Sequence, residues 1–155
     1  MTENAENVEN AEEQGYAFGA ELPVVAADGE GDTELAPPVQ HAPGGLVVPV
    51  PGAFELPIAA MAFAKTRRYG CVVALGCVVR GETPHFDYVA GEAASGLQLA
   101  ALETGVPVAF GVLTVDTPEQ AEARVDKGAE AVRTALEMAD LFAQLRTSHA
   151  AAAAK

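Results

Sequence analysis

The residues best suited to chemistry stand together in Arg80-Gly81-Glu82-Thr83-Pro84-His85, where a charge, a flexible glycine, an acid, a hydroxyl, a rigid proline and an imidazole follow in turn. An imidazole titrates near neutrality, so His85 is suited to giving and taking a proton during a reaction; taken alone, a histidine ahead of a helix can equally be structural. The flanking sequence decides where this stretch sits. Before it, Cys71 to Val79 is an apolar run rich in β-branched residues and interrupted only by Gly76, the composition of a strand buried on both faces of a parallel sheet. After it the period turns helical, with Val89, Ala93, Leu97 and Ala100 spaced to share one face. Polar chemistry therefore stands at the carboxyl end of a central strand, where open α/β sheets bind their ligands.

The elements around this unit repeat the alternation. Leu46 to Val50 reads as a short strand, Pro51 and Gly52 as a turn, and Phe54 to Lys65 as a helix that tolerates Pro57 in its first turn. Arg67 and Arg68 follow near that helix's C-terminus, where positive charge is favoured. Gly105 and Pro107 end the helix begun at Phe86, and Val106 to Val115 supplies another strand. Thr117, Pro118 and Glu119 read as N-cap, first helical residue and first-turn acid. A last helix is expected from Asp126 to Arg146, with Val132, Leu136, Ala139, Phe142 and Leu145 turned inward. Tyr16, Phe18, Leu22, Val24, Val25, Ala26 and Ala27 offer one more short strand, although Pro23 argues against a central, fully hydrogen-bonded position. Between them and Leu46 the run DGEGDTELAPPVQHAPGG reads as an irregular connection, with His41 as a solvated loop residue. Strands alternating with helices imply an α/β layer fold with a parallel sheet and right-handed crossovers.

Composition sets the limits. The chain has 155 residues and is 50% hydrophobic, enough to fill the core of one domain. Its net charge of −13 is placed unevenly: ten of the 22 acidic residues and none of the nine Lys and Arg lie in residues 1–44. The opening MTENAENVENAEEQG lacks aromatic and branched apolar side chains in any number, so an acidic, disordered tail is expected over 1–15. Nucleic acid is a poor partner for such a balance. Cys71 and Cys77 lie on one extended segment and cannot bridge each other there, which leaves two small buried hydrophobes. The start is acidic, and the apolar runs fall short of the roughly 20 residues that span a bilayer. A cytoplasmic protein without membrane contact is the expectation, with an Ala-rich tail at 147–155 and His149 exposed within it.

Four segments carry a resemblance in their order: VPGAFELPIAA at 50–60, ALGCVVRGETPHFDYV at 74–89, GVPVAFGVLTVDTPEQA at 105–121 and DKGAEAVRTALEMADL at 126–141. Over residues 46–146 the chain resembles the 6,7-dimethyl-8-ribityllumazine synthases of riboflavin biosynthesis. The resemblance implies a three-layer, flavodoxin-like domain with a parallel sheet of about four strands flanked by helices. It also implies condensation of 5-amino-6-ribitylaminouracil with 3,4-dihydroxy-2-butanone 4-phosphate, without metal or cofactor.

The roles it implies are carried residue by residue. His85 would act as acid and base. Glu82 and Thr83, ahead of a helix whose free N–H groups and dipole favour anions, would hold the phosphate. Arg124 would add a guanidinium to it, unless it is an exposed helix charge. Ala53, Phe54 and Glu55 would hold the ribityl chain and pyrimidine, unless Phe54 is core packing; Val78, Val79 and Arg80 would meet the pyrimidine edge through their backbone. Phe110 and Lys127 would be lent by a neighbouring subunit. A homo-oligomer follows, a pentamer or an icosahedral shell of pentamers with sites between subunits, and riboflavin synthase is a further partner of such shells.

Two departures stand against the resemblance. Family members open with a strand that ends in a stacking aromatic and leads into a long helix. Here residues 16–45 are divergent, ELPVVAADGE is the sole candidate strand, and the first strand-helix unit is degenerate. The second departure is the link between Arg124 and Lys127, cut to Val125 and Asp126. The alternative to an active enzyme is therefore a non-catalytic shell, scaffold or flavin-precursor-binding protein.

Overall fold

The computed structural model describes residues 22–27, 40–42 and 45–153, with side chains for 45–148. The expected acidic tail at 1–15, Tyr16, Phe18 and most of the connection over 28–45 lie outside the described residues, as does the side chain of His149.

Four strands run parallel: β1 (Leu22–Ala27), β3 (Gly45–Val50), β4 (Val72–Val79) and β5 (Val108–Val115). Their spatial order is β3-β1-β4-β5, and the short antiparallel β2 (Gln40–Ala42) pairs on the outside of β3. The doubtful strand at 22–27 is thus central, which corrects the inference from Pro23. Pairing of β1 with β4 covers only Val24–Ala26 against Val73–Leu75, so Pro23 lies outside that ladder and costs it no donor. His41 is corrected too: it stands in β2 opposite Leu46 rather than in an irregular loop.

A 3-10 turn (Ala53–Glu55) leads into α1 (Leu56–Lys65), with Pro57 in its first turn where no intrahelical donor is needed. Helix α2 (His85–Thr104) ends at Gly105, whose φ of 66° is the left-handed cap that glycine takes most readily. Beside it the buried Thr104 hydroxyl donates to the Ala100 carbonyl at 2.6 Å and accepts from the Val106 amide at 3.2 Å, so both loose backbone ends are satisfied. The short α3 (Pro118–Glu122) has Thr117 as N-cap, its side chain accepting from the Gln120 amide. Helix α4 (Lys127–Ala153) runs on through the expected Ala-rich tail.

Helices α1 and α2 cover one face of the sheet and α4 the other, giving three layers. Alternate residues of β4 serve the two cores. Val72 and Ala74 meet Leu56, Ala60, Leu97 and Ala100, whereas Cys71 and Val73 meet Ala131, Ala135 and Ala139. The inward stripe of α4 is therefore alanine, and Leu136 and Leu145, expected inside, face outward at 45% and 59% exposure. The order of the parallel strands is that of a flavodoxin-like sheet short of one strand, with its direction of winding reversing between β1 and β4.

Candidate active site

The sheet's carboxyl edge is stepped. Ala27 is level with Val50, and Ala26 with Leu75, so β1 and β3 stop near Gly76 while β4 and β5 run on in register to Val79 and Val115. Past Leu75, β4 has a partner on one side only among the described residues. The Val72 amide donates to the Pro107 carbonyl at 2.8 Å and the Arg80 amide to the Val115 carbonyl at 2.9 Å, so even-numbered residues turn their backbone toward β5. Cys77 and Val79 therefore turn theirs toward the notch above β1. Unpaired amide and carbonyl groups along a strand can read the donor-acceptor edge of a planar heterocycle as a further strand would. Of the three expected backbone positions, Val79 has this orientation; Val78 and Arg80 direct their backbone to β5.

Two segments border the notch. On the β3 side the 3-10 turn brings Ala53, buried, Phe54, 56% exposed, and Glu55 against the ends of β1 and β4. The exposure of Phe54 removes core packing as its role in the single chain. Glu55 folds back over the turn: a Cβ on Gly52 would lie 3.0 Å from its carboxylate. On the β4 side lie Gly81, Glu82, Thr83, Pro84 and His85, all exposed. His85 is the first residue of α2, and no side chain caps that helix, so its leading amides are open to an anion.

Arg80 holds this loop in place. Its Nε donates to Asp116 Oδ1 at 3.1 Å, its Nη1 to Asp87 Oδ1 at 3.1 Å, and its guanidinium carbon stands 4.0 Å from the centre of the Phe86 ring. The hydrogen bond to Asp87 is the main cause holding the guanidinium above its ordinary pKa. Sequence reasoning missed Asp87 and Asp116. An acid in the first residue after a strand, with an arginine at the end of the neighbouring strand, was the available signal.

Arg124 follows α3 on the same edge, and its Nη1 donates to the Gln120 carbonyl at 2.8 Å. Phe110, 46% exposed, and Lys127 are placed elsewhere, together lining a recess of about 260 Å³ between β5 and the first turns of α4. There Lys127 pairs with Glu130; their mutual hydrogen bond raises the pKa of the lysine and lowers that of the acid. The expected residues thus form two groups in one chain, one at the notch and one at the outer edge of the sheet. Among the described residues no group of three or more His, Cys, Asp or Glu side chains is placed to hold a metal ion.

Known proteins share this arrangement's sequence. The family model for 6,7-dimethyl-8-ribityllumazine synthase matches residues 42–143. A protein of that name from Thermus thermophilus is 57% identical over 102 residues, 63% of this chain and 65% of its own length. Another, from Yersinia pestis, is 54% identical over 105 residues, 64% of this chain and 67% of its own. The chain thus spans about two thirds of the length of these relatives, and the shared part contains the stepped edge of β4, the Arg80–His85 loop and the recess at Phe110. With its parallel sheet, its helices on both faces and a match over most of its described residues, the chain belongs to the 6,7-dimethyl-8-ribityllumazine synthase family.

Proposed function

We propose that the protein is a lumazine synthase, condensing 5-amino-6-(D-ribitylamino)uracil with 3,4-dihydroxy-2-butanone 4-phosphate to 6,7-dimethyl-8-ribityllumazine, with release of phosphate and water. The observation that carries this reading is the notch: one open strand edge suited to a pyrimidine, bordered by an uncapped helix N-terminus with an imidazole at its first position. In it, Val79 reads the pyrimidine edge, Ala53, Phe54 and Glu55 hold the ribityl chain, and Val78 and Arg80 shape the strand end. The amides around Glu82 and Thr83 take the phosphate, with Arg124 as its counter-charge. His85 moves the protons of imine formation, phosphate loss and ring closure. Nothing in this scheme requires a cofactor.

The second group of residues fits a composite site. Phe110 and Lys127 are too far along the outer edge to border the notch of their own chain, so a neighbouring subunit would supply them. The assembly is a pentamer or a shell of pentamers, with small molecules as the other partners and riboflavin synthase as a candidate guest. No helix among the described residues is long and apolar enough to cross a membrane, and the cytoplasm is the proposed location.

A second reading is favoured by one observation: β1 ends in Ala26 and Ala27, with no aromatic to stack on the pyrimidine. A non-catalytic shell or flavin-precursor-binding protein would keep the rest. The two are separated by mixing both substrates with the full chain and following the absorbance of the lumazine product, alongside sedimentation at micromolar concentration. Product with an assembled species supports the enzyme. Assembly without product supports the shell, and monomer alone removes the composite site.

A further inference from the structure

The Arg80 guanidinium is gripped from two sides, by a carboxylate on its own loop's helix and by one just past the end of the next strand. The geometry points to Asp116 as a positioning residue for the proposed condensation, acting through Arg80 to fix the first turn of α2 and hence His85. This rests on the lumazine synthase reading.

Asp116 follows β5 directly, and its own backbone is anchored: its amide donates to Gln120 Oε1 at 2.9 Å, while Thr117 caps α3 behind it. Its Oδ1 holds Arg80 Nε, and Arg80 reaches on through Nη1 to Asp87 and lies over Phe86. Phe86 and Asp87 are the two residues after His85. The chain of contacts therefore runs from the fixed end of β5 to the turn that carries the imidazole, across 36 residues of sequence.

Two features separate positioning from mere stability. The Arg80, Asp87 and Asp116 side chains are 44%, 61% and 67% exposed, and solvent-exposed ion pairs contribute little to folding. The loop they border has no buried anchor of its own, since residues 80–85 are all exposed. A bracket that adds little to stability yet sets the aim of an otherwise free loop matters most for the geometry of proton transfer, where small misplacements lower rates steeply. Asp87 is the less clean probe, because it also places a charge in the first turn of α2.

The test uses the full, assembled chain. Asp116→Ala should lower kcat for lumazine formation about tenfold with KM for both substrates little changed, and should speed hydrogen exchange of a peptide covering residues 81–90. Asp116→Asn, which keeps an acceptor for Arg80 Nε, should recover most of kcat. A wild-type kcat in Asp116→Ala, or a lowered kcat without faster exchange at 81–90, overturns the proposal. Should the wild-type chain form no lumazine, the functional reading fails and exchange alone decides: faster exchange in Asp116→Ala supports positioning of the turn, and unchanged exchange overturns it. If the alanine variant does not fold, the same comparison is made with Asp116→Leu, which keeps the bulk of the side chain but has no acceptor for Arg80 Nε; kcat and exchange both at wild-type values in it overturn the proposal.

Discussion

A Cβ placed on Gly111 would lie 3.0 Å from the Cβ of Ala131 and 2.5 Å from Leu75 Cδ2. At Gly111, strand β5 and helix α4 are thus closer than a side chain at that position would allow without displacement. The alanines at 131, 135 and 139 complete the same close approach. Gly111→Ala should cost about 1–3 kcal/mol, the usual range for overpacking a filled core. A urea midpoint lowered accordingly, at unchanged m-value, is the expected result; a neutral effect would mean that α4 can move off the sheet freely.

Burial pushes the Cys71 thiol up from 9.0 to about 11. Desolvation disfavours the thiolate, so the folded state holds this proton more tightly than the unfolded chain. Stability from the neutral thiol is complete below pH 9 and is lost as pH rises from 9 through 11. Urea midpoints measured from pH 8 to pH 10.5 should fall more steeply for the wild type than for Cys71→Ala, which has no proton to lose. The same burial predicts slow alkylation of Cys71 at pH 8, because the thiolate is the reactive form. Parallel slopes in the two proteins would show that the thiol is not the group responsible.

His85 is exposed and packs in neither core, so its removal tests chemistry alone. His85→Ala should slow lumazine formation by roughly 10² to 10⁴, the contribution of a positioned acid or base. Sedimentation and thermal midpoint should stay as in the wild type. Turnover at the wild-type rate would return His85 to a structural role.

The end of β1 bears on affinity. Stacking on an aromatic adds about 0.5–1.5 kcal/mol beyond burial, so on the lumazine synthase reading its absence should weaken pyrimidine binding roughly threefold to tenfold and should not by itself abolish the proposed reaction. Asp28 is the next residue in the sequence after β1. Asp28→Phe should tighten binding of a pyrimidine substrate analogue by that factor in calorimetry. Equal binding by both proteins would point to an aromatic from elsewhere in the chain.

Local signals carried the fold well. The Thr117 cap, the Gly105 stop and the face of Val89, Ala93, Leu97 and Ala100 are each written within a few residues, and each is found as expected. In helix α4, Ala139 and Val132 pack inward as expected, but Leu136 and Leu145 do not: size stood in for burial, whereas the face toward the sheet is set by small residues such as Ala131, which stands against Gly111. Pro23 misled because its effect depends on which ladder it meets, a matter of register rather than of sequence. At the site, the loop from Arg80 to His85 was legible as a unit. The link from Arg80 to Asp116 was not, because it joins residues that only the pairing of β4 with β5 brings together.

Strand β1 has a consequence for how the chain comes together. The stretch shared with the family begins at Ala42, after β1 has ended, yet among the described residues β1 alone connects β3 to β4 by hydrogen bonds. Cut down to the shared stretch, the protein would keep β3 and the β4–β5 ladder, joined only through packed side chains, because β2 (Gln40–Ala42) is lost with β1. During synthesis β1 emerges before β3 and β4 and must wait for β4 before both its edges are satisfied, a pairing between strands far apart in the sequence and therefore slow to form. Until then the earliest part of the sheet leaves the ribosome with an open edge, which is the kind of surface on which chains pair with one another instead of with themselves.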